Sequence, residues 1–200
     1  VRRTACESLT RMGHAVEWTK FTKSLESTSR TESLAARRLL ESLPVDQWRS
    51  EILETENIRC FFQGATALMI VEPNLVNAYQ ILARVSTIMD GFVSDRDFSD
   101  MLRVTQLALH LGKVPGEKIP VFHDRIIAEF PTKNGLLNRE LSRIIGYFKD
   151  VRIAEMMDDY LTNPDQEDST ELGEVPHEEE KGSIRAHSMF APYLYGRYTY

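Results

Sequence analysis

Catalytic signatures are what this sequence most plainly lacks. There is no GxGxxG and no GxxxxGK[ST] run, so nucleotide binding is missing its usual phosphate cradle. No GxSxG surrounds any serine. The five histidines, His14, His110, His123, His177 and His187, are scattered, with no two at i,i+4. His177 begins "HEEE", which lacks the second ligand of HExxH. His123 and Asp124 are adjacent, but neighbours on a helix point about 100° apart and form no dyad by themselves. The expectation is therefore no catalytic residue, no metal and no cofactor in this segment.

Cysteine is scarce as well. Cys6 and Cys60 stand far apart, with no CxxC, CxxCH or paired Cys/His spacing, which excludes a disulfide framework as the organising element. Two thiols do not fix a compartment. Long hydrophobic runs are absent. The longest apolar patch, Ala67 to Val71, is far short of the roughly 18 residues that a spanning helix needs. The net charge of −6 argues against a general nucleic-acid binder. No signal peptide is visible. The chain opens "VRRTACESLTRMG" without Met and closes "YLYGRYTY" with no helix stop, which reads as an excerpt from a longer protein.

What is present is helical periodicity. No convincing period-2 strand appears, and no Asn-Gly or Asp-Gly hairpin turn joins two alternating runs. Helices come in short pairs, with Pro, Gly, Asn or Asp between them. Self-similarity follows. Val1, Ala5, Leu9 and Met12 lead to Gly13. Ala36, Leu40 and Leu43 lead to Pro44, with Ala36 lying 31 positions after Ala5. Phe61, Ala65 and Met69 lead to Pro73, with Ala65 a further 29 positions on. More widely spaced copies are Val104, Ala108, Leu111, Gly112 and Leu137, Leu141, Ile145, Phe148. Residues four apart share a helix face, and a central small residue (Ala5, Ala36, Ala65) lets a neighbouring helix approach. Outer helices are expected near 16–26, 45–54, 75–89, 121–130 and 153–161. Asp46 and Asn74 suit helix starts, and Pro120 suits a first turn. Trp18 and Trp48 read as packing anchors.

The run "VRRTACESLTRMG" resembles the second helix of a HEAT repeat of the bacterial, lyase-like kind, whose signature is VRxxAxxxLxxxG. Val1, Arg2, Ala5, Leu9 and Gly13 match it. "SLAARRLLESLP" keeps Ala36 and Leu40 but has Glu32 at the Val position and Pro44 at the Gly position. The resemblance implies an all-α fold, a right-handed α-solenoid (superhelix) of HEAT/armadillo-like helix pairs over residues 1–162, about five units with the first truncated. A narrower resemblance is to the HEAT region of large planctomycete-type exported proteins. It rests on Ala36, Arg37, Arg38, Leu43, Pro44 and Trp48, then on Phe130, Pro131 and the run Leu137 to Leu141. Such proteins commonly join a β-propeller, dehydrogenase-like segment, a HEAT array and a c-type haem domain. That likeness implies export or a periplasmic location, with haem elsewhere in the parent, since CxxCH is absent here.

The function expected of such an array is non-catalytic scaffolding: binding a protein, or holding neighbouring domains of the same chain, with no nucleic acid and no membrane insertion. Arg2, Arg3, Arg37 and Arg38 recur near the starts of inner helices. Bridging to acids of the next unit, such as Glu7 or Glu41, is their structural role. Arg3, Arg37 and Arg38 are the candidate partner contacts. Residues 163–182 carry eight acids against a single Lys and read as an acidic loop or linker. Residues 183–200, with Tyr193, Tyr195, Tyr198 and Tyr200, read as the start of a further helical or packing element.

Overall fold

The computed structural model describes residues 1–149 and 152–162. Among them every regular element is helical and no strand occurs, so the fold is all-α. In chain order the helices are α1 (Arg2–Met12), α2 (Thr22–Leu25), α3 (Arg30–Glu41), α4 (Arg49–Glu54), α5 (Ile58–Val71), α6 (Leu75–Ile88), α7 (Asp95–Gly112), α8 (Pro120–Ala128), α9 (Gly135–Phe148) and α10 (Arg152–Thr162). Short 3-10 turns at Trp18–Phe21, Val45–Gln47 and Gly116–Lys118 precede α2, α4 and α8. No helix among the described residues is long and apolar enough to cross a membrane. The acidic stretch and the tyrosine-rich end lie outside the described residues.

Helix starts are set locally. The Asn57 side chain accepts from the backbone N–H of Arg59 and Cys60, both at 3.0 Å, and opens α5. Asn74 accepts from Asn77 at 2.8 Å ahead of α6. Asn134 accepts from Leu136 and Leu137 at the start of α9. Each cap satisfies orphan donors of the first turn, worth about 1 kcal/mol. Pro120 occupies the first turn of α8, as expected. Helix α1 stops at Gly13, whose φ of +61° is left-handed, and His14 N–H returns to Leu9 O at 3.3 Å. The expected outer helices at 16–26 and 45–54 are each broken. Phe21 (φ −125°) and Trp48 (φ −140°) leave the helical region there, and both side chains are buried.

The chain divides into two compact units, residues 1–81 with 107–113, and residues 82–106 with those from 114 on. In the first, α3 packs on both α1 and α5, while α2 and α4 cover α5. Trp48, Leu39, Leu40, Ile52, Phe61, Leu68 and Met69 are fully enclosed. The Trp48 indole N–H donates to Leu43 O at 3.4 Å. It is a packing anchor, as expected, whereas Trp18 is half-buried. In the second unit α8 packs on α9, and Phe98, Met101, Ile126, Leu137, Leu141, Ile144 and Ile145 are enclosed.

The close-approach alanines divide two against one. Ala36 and Ala65 are fully buried, but Ala5 is exposed, and Val1 and Met12 beside it are open to solvent. The buried residue of α1 is Cys6. Adjacent helical residues point about 100° apart, so the face that α1 turns inward is rotated one residue away from the Val1–Ala5–Leu9–Met12 stripe.

Gly64 shows how tight the first core is. A Cβ there would overlap Ile52 Cγ2 and lie 2.6 Å from Cδ1. Ile52 is fully buried and stiff at χ1, so it cannot swing aside. Gly64→Ala is expected to destabilise by about 1–3 kcal/mol. Gly146, exposed in α9 with nothing within 4 Å of its Cβ position, is the contrast. Gly146→Ala is expected to stabilise by about 0.5–1 kcal/mol. Urea midpoints of the two variants check both signs.

Both cysteines are free and buried. Burial, aided by the Glu26 charge, pushes the Cys60 thiol from its ordinary 9.0 up to about 11. The fold thus favours the protonated thiol. As pH rises from about 9 to about 11, the unfolded chain loses this proton before the folded one does, and stability falls. Urea midpoints measured across that window should drop more steeply for the wild type than for Cys60→Ala.

Candidate functional site

An open groove of about 330 Å³ runs between α1 and α3 in the first unit. Two helical faces build it. Arg3, Glu7, Thr10 and Arg11 are spaced i, i+4, i+7, i+8 on α1. Thr31, Leu34, Ala35 and Arg38 are spaced i, i+3, i+4, i+7 on α3. Leu34, 44% exposed, and buried Ala35 give it an apolar strip. Arg3, Arg11 and Arg38 surround that strip against a single acid, Glu7.

The pairings explain which charges stay available. Arg3 Nε donates to Glu7 Oε1 at 2.7 Å. That hydrogen bond, opposed by slight desolvation and helped by the Arg3 and Arg11 charges, holds the Glu7 carboxyl below the usual carboxylate range. Arg38 Nη1 donates to Glu41 Oε2 at 2.8 Å, while Arg37 Nε faces Glu41 Oε1 at 3.3 Å. Arg11 forms no ion pair among the described residues. The Arg3 and Arg38 side chains remain 55% and 59% exposed in spite of their pairs. Exposed pairs of this sort are worth about 0–1 kcal/mol and yield readily to a better partner.

Of the three sequence candidates, the structure brings Arg3 and Arg38 into one groove and leaves Arg37 out. Arg37 is one residue, hence about 100°, around α3 from Arg38, and its side chain is only 20% exposed. The expected bridges to the next unit also need correction. Arg2 makes one, donating from α1 to Glu32 on α3 at 2.6 Å. Arg3 and Arg38 instead pair with Glu7 and Glu41 of their own helices, acids four and three residues on and so on the same face. Arg11 and Leu34 escaped the sequence reading. The signals that would have found them are the i+8 spacing from Arg3 and the i−4 spacing from Arg38.

The remaining chemistry is sparse. His110 lies in the last turn of α7, and the His123 ring meets Phe148 at a tilt, with centroids 4.2 Å apart. Among the described residues no group of three or more His, Cys, Asp or Glu could hold a metal ion. The groove offers cationic hydrogen-bond donors and an apolar strip, a surface for recognition.

The Glu7 depression has a direct check. Arg3→Ala should raise the Glu7 carboxyl toward the ordinary range in an NMR pH titration, and Arg38→Ala should leave it in place.

Comparison with protein families, with curated proteins and with solved structures finds no match for this chain.

Proposed function

We propose that this chain is a non-catalytic scaffold, a right-handed α-solenoid of HEAT/armadillo-like helix pairs that binds a protein or neighbouring domains of its own polypeptide. The observation carrying this reading is the α1–α3 groove, where Arg3, Arg11 and Arg38 flank an apolar strip. A partner segment with acids on its rim and an apolar centre matches that lining. Stacked helix pairs suit the role because they present long rows of like-spaced side chains from successive helices. The packing of α3 between α1 and α5 supports the same reading. The runs around Ala36–Trp48 and Phe130–Leu141 support a more specific version, in which the array accompanies a c-type haem domain of an exported oxidoreductase.

The test uses a fluorescein-labelled, glutamate-rich amphipathic peptide and reads its anisotropy. The wild type should bind in a salt-sensitive manner. Arg3→Glu with Arg38→Glu should weaken binding at least about tenfold, or about 1.4 kcal/mol. Arg37→Ala should leave it intact. Equal binding by the charge-reversed chain sinks the proposal. Both reversed residues are exposed, so circular dichroism should show an unchanged helical fold.

A further inference from the structure

A second groove, of about 410 Å³, lies between α9 and α10, lined by Gly135, Asn138, Arg139, Ser142, Arg143 and Tyr160. All six belong to the second unit. We propose that it is an oxyanion site that takes a phosphate dianion, either as free phosphate or as the monoester carried on a phosphorylated peptide.

Asn138 is 1% exposed and fully committed. Its Oδ1 accepts from the Thr132 amide at 2.6 Å and the Thr132 hydroxyl at 2.8 Å. Its Nδ2 donates to Thr132 O at 2.8 Å and to the Tyr160 hydroxyl oxygen at 3.2 Å. The Ser142 hydroxyl donates to Asn138 O at 2.7 Å. These bonds use the whole capacity of the amide and the proton of the serine.

Donors are what remain. The Tyr160 oxygen accepts from Asn138, and its own proton has no acceptor among the described residues. Phe130 fixes the ring edge-on at 5.1 Å, which holds the hydroxyl in place. Arg139 makes no hydrogen bond among the described residues, its nearest carboxylate oxygen being Glu140 Oε1 at 3.9 Å. Arg143 spends Nη1 on Glu140 Oε2 at 2.9 Å. That carboxylate is nearly buried. It also accepts from Gln106 at 2.9 Å and faces Arg103 at 3.8 Å. One acid is thus divided among three arginines, and of these only Arg103 has another among the described residues, Asp100.

Arg139 and Arg143 are also like charges at i,i+4, an arrangement that destabilises an isolated helix. An anion lodged between them relieves the repulsion. Two guanidinium groups and one phenol match the three terminal oxygens of a phosphate dianion, whereas a carboxylate offers only two.

The full chain is titrated with fluorescein-labelled peptides carrying phosphoserine, glutamate or serine at one position between alanines. The phosphoserine peptide should bind about tenfold or more tightly than the glutamate peptide, and the serine peptide should not bind. Arg139→Gln and Tyr160→Phe should each weaken it severalfold. Arg139→Gln removes no hydrogen bond made among the described residues, whereas Tyr160→Phe keeps the ring against Phe130 but takes one acceptor from the Asn138 amide, so circular dichroism should show an unchanged helical fold for both. Inorganic phosphate separates the sources. Displacement of the peptide at equal concentration assigns the site to free phosphate, and displacement only at large excess assigns it to a phosphopeptide. Equal binding of the phosphoserine and glutamate peptides overturns the proposal, as does unchanged affinity in both variants.

Discussion

The first unit depends on one missing side chain. Helix α5 is approached by α2, α3 and α4, and its small residues let those neighbours come close. Gly64 admits Ile52 of α4 to contact with the backbone, and Ala65 and Ala67 are wholly enclosed beside it. Tight contact of this kind gains dispersion energy from many atom pairs, and it leaves no slack. The bulky members of the core, Trp48, Phe61 and Phe62, fill the space around that contact. The entry of α4 depends on it too. Trp48 departs from helical geometry just before α4, which delivers Ile52 to the glycine and the indole to the interior.

Much of the helical framework was legible in the sequence, and for physical reasons. Asparagines and prolines mark helix boundaries through short-range hydrogen bonding and steric exclusion, so Asn74, Pro73 and Pro120 could be placed from their neighbours alone. Ala65 was legible because Phe61 and Met69 flank it four residues away on both sides, and Ala36 because Leu40 and Leu43 follow it on the same face before Pro44. Ala5 shows where such reading fails. A stripe names a face of a helix, but tertiary packing chooses how that face is turned. The stripe on α1 gave way to Cys6 by one position. The irregular entries at Phe21 and Trp48 were hidden for a similar reason: each aromatic residue is buried at the expense of a continuous helix.

The candidate sites were legible only in part. Arg3 and Arg38 were singled out separately, but nothing in their positions said that they would share a groove that Arg37 does not enter. That fact belongs to the approach of α1 to α3. Arg139 and Arg143 had a readable i,i+4 spacing. Their surplus of donors was not readable, because it depends on Thr132, Tyr160 and Glu140 consuming or withholding particular hydrogen bonds. Helix spacing can be read along a chain, whereas hydrogen-bond satisfaction must be counted in space.

The cap of α9 has a bearing on chemical ageing. Asn134 precedes Gly135, a pair that in a loose chain cyclises to a succinimide when the glycine nitrogen attacks the asparagine side-chain carbonyl. Here that side chain is 3% exposed, and its oxygen is bound to the amides of Leu136 and Leu137. The bonds that begin the helix therefore also hold its most labile amide out of reaction. Conversion at Asn134 would insert a methylene into the backbone at the first turn and remove the cap. Isoaspartate at this position then becomes a cumulative record of how long α9 has spent unwound.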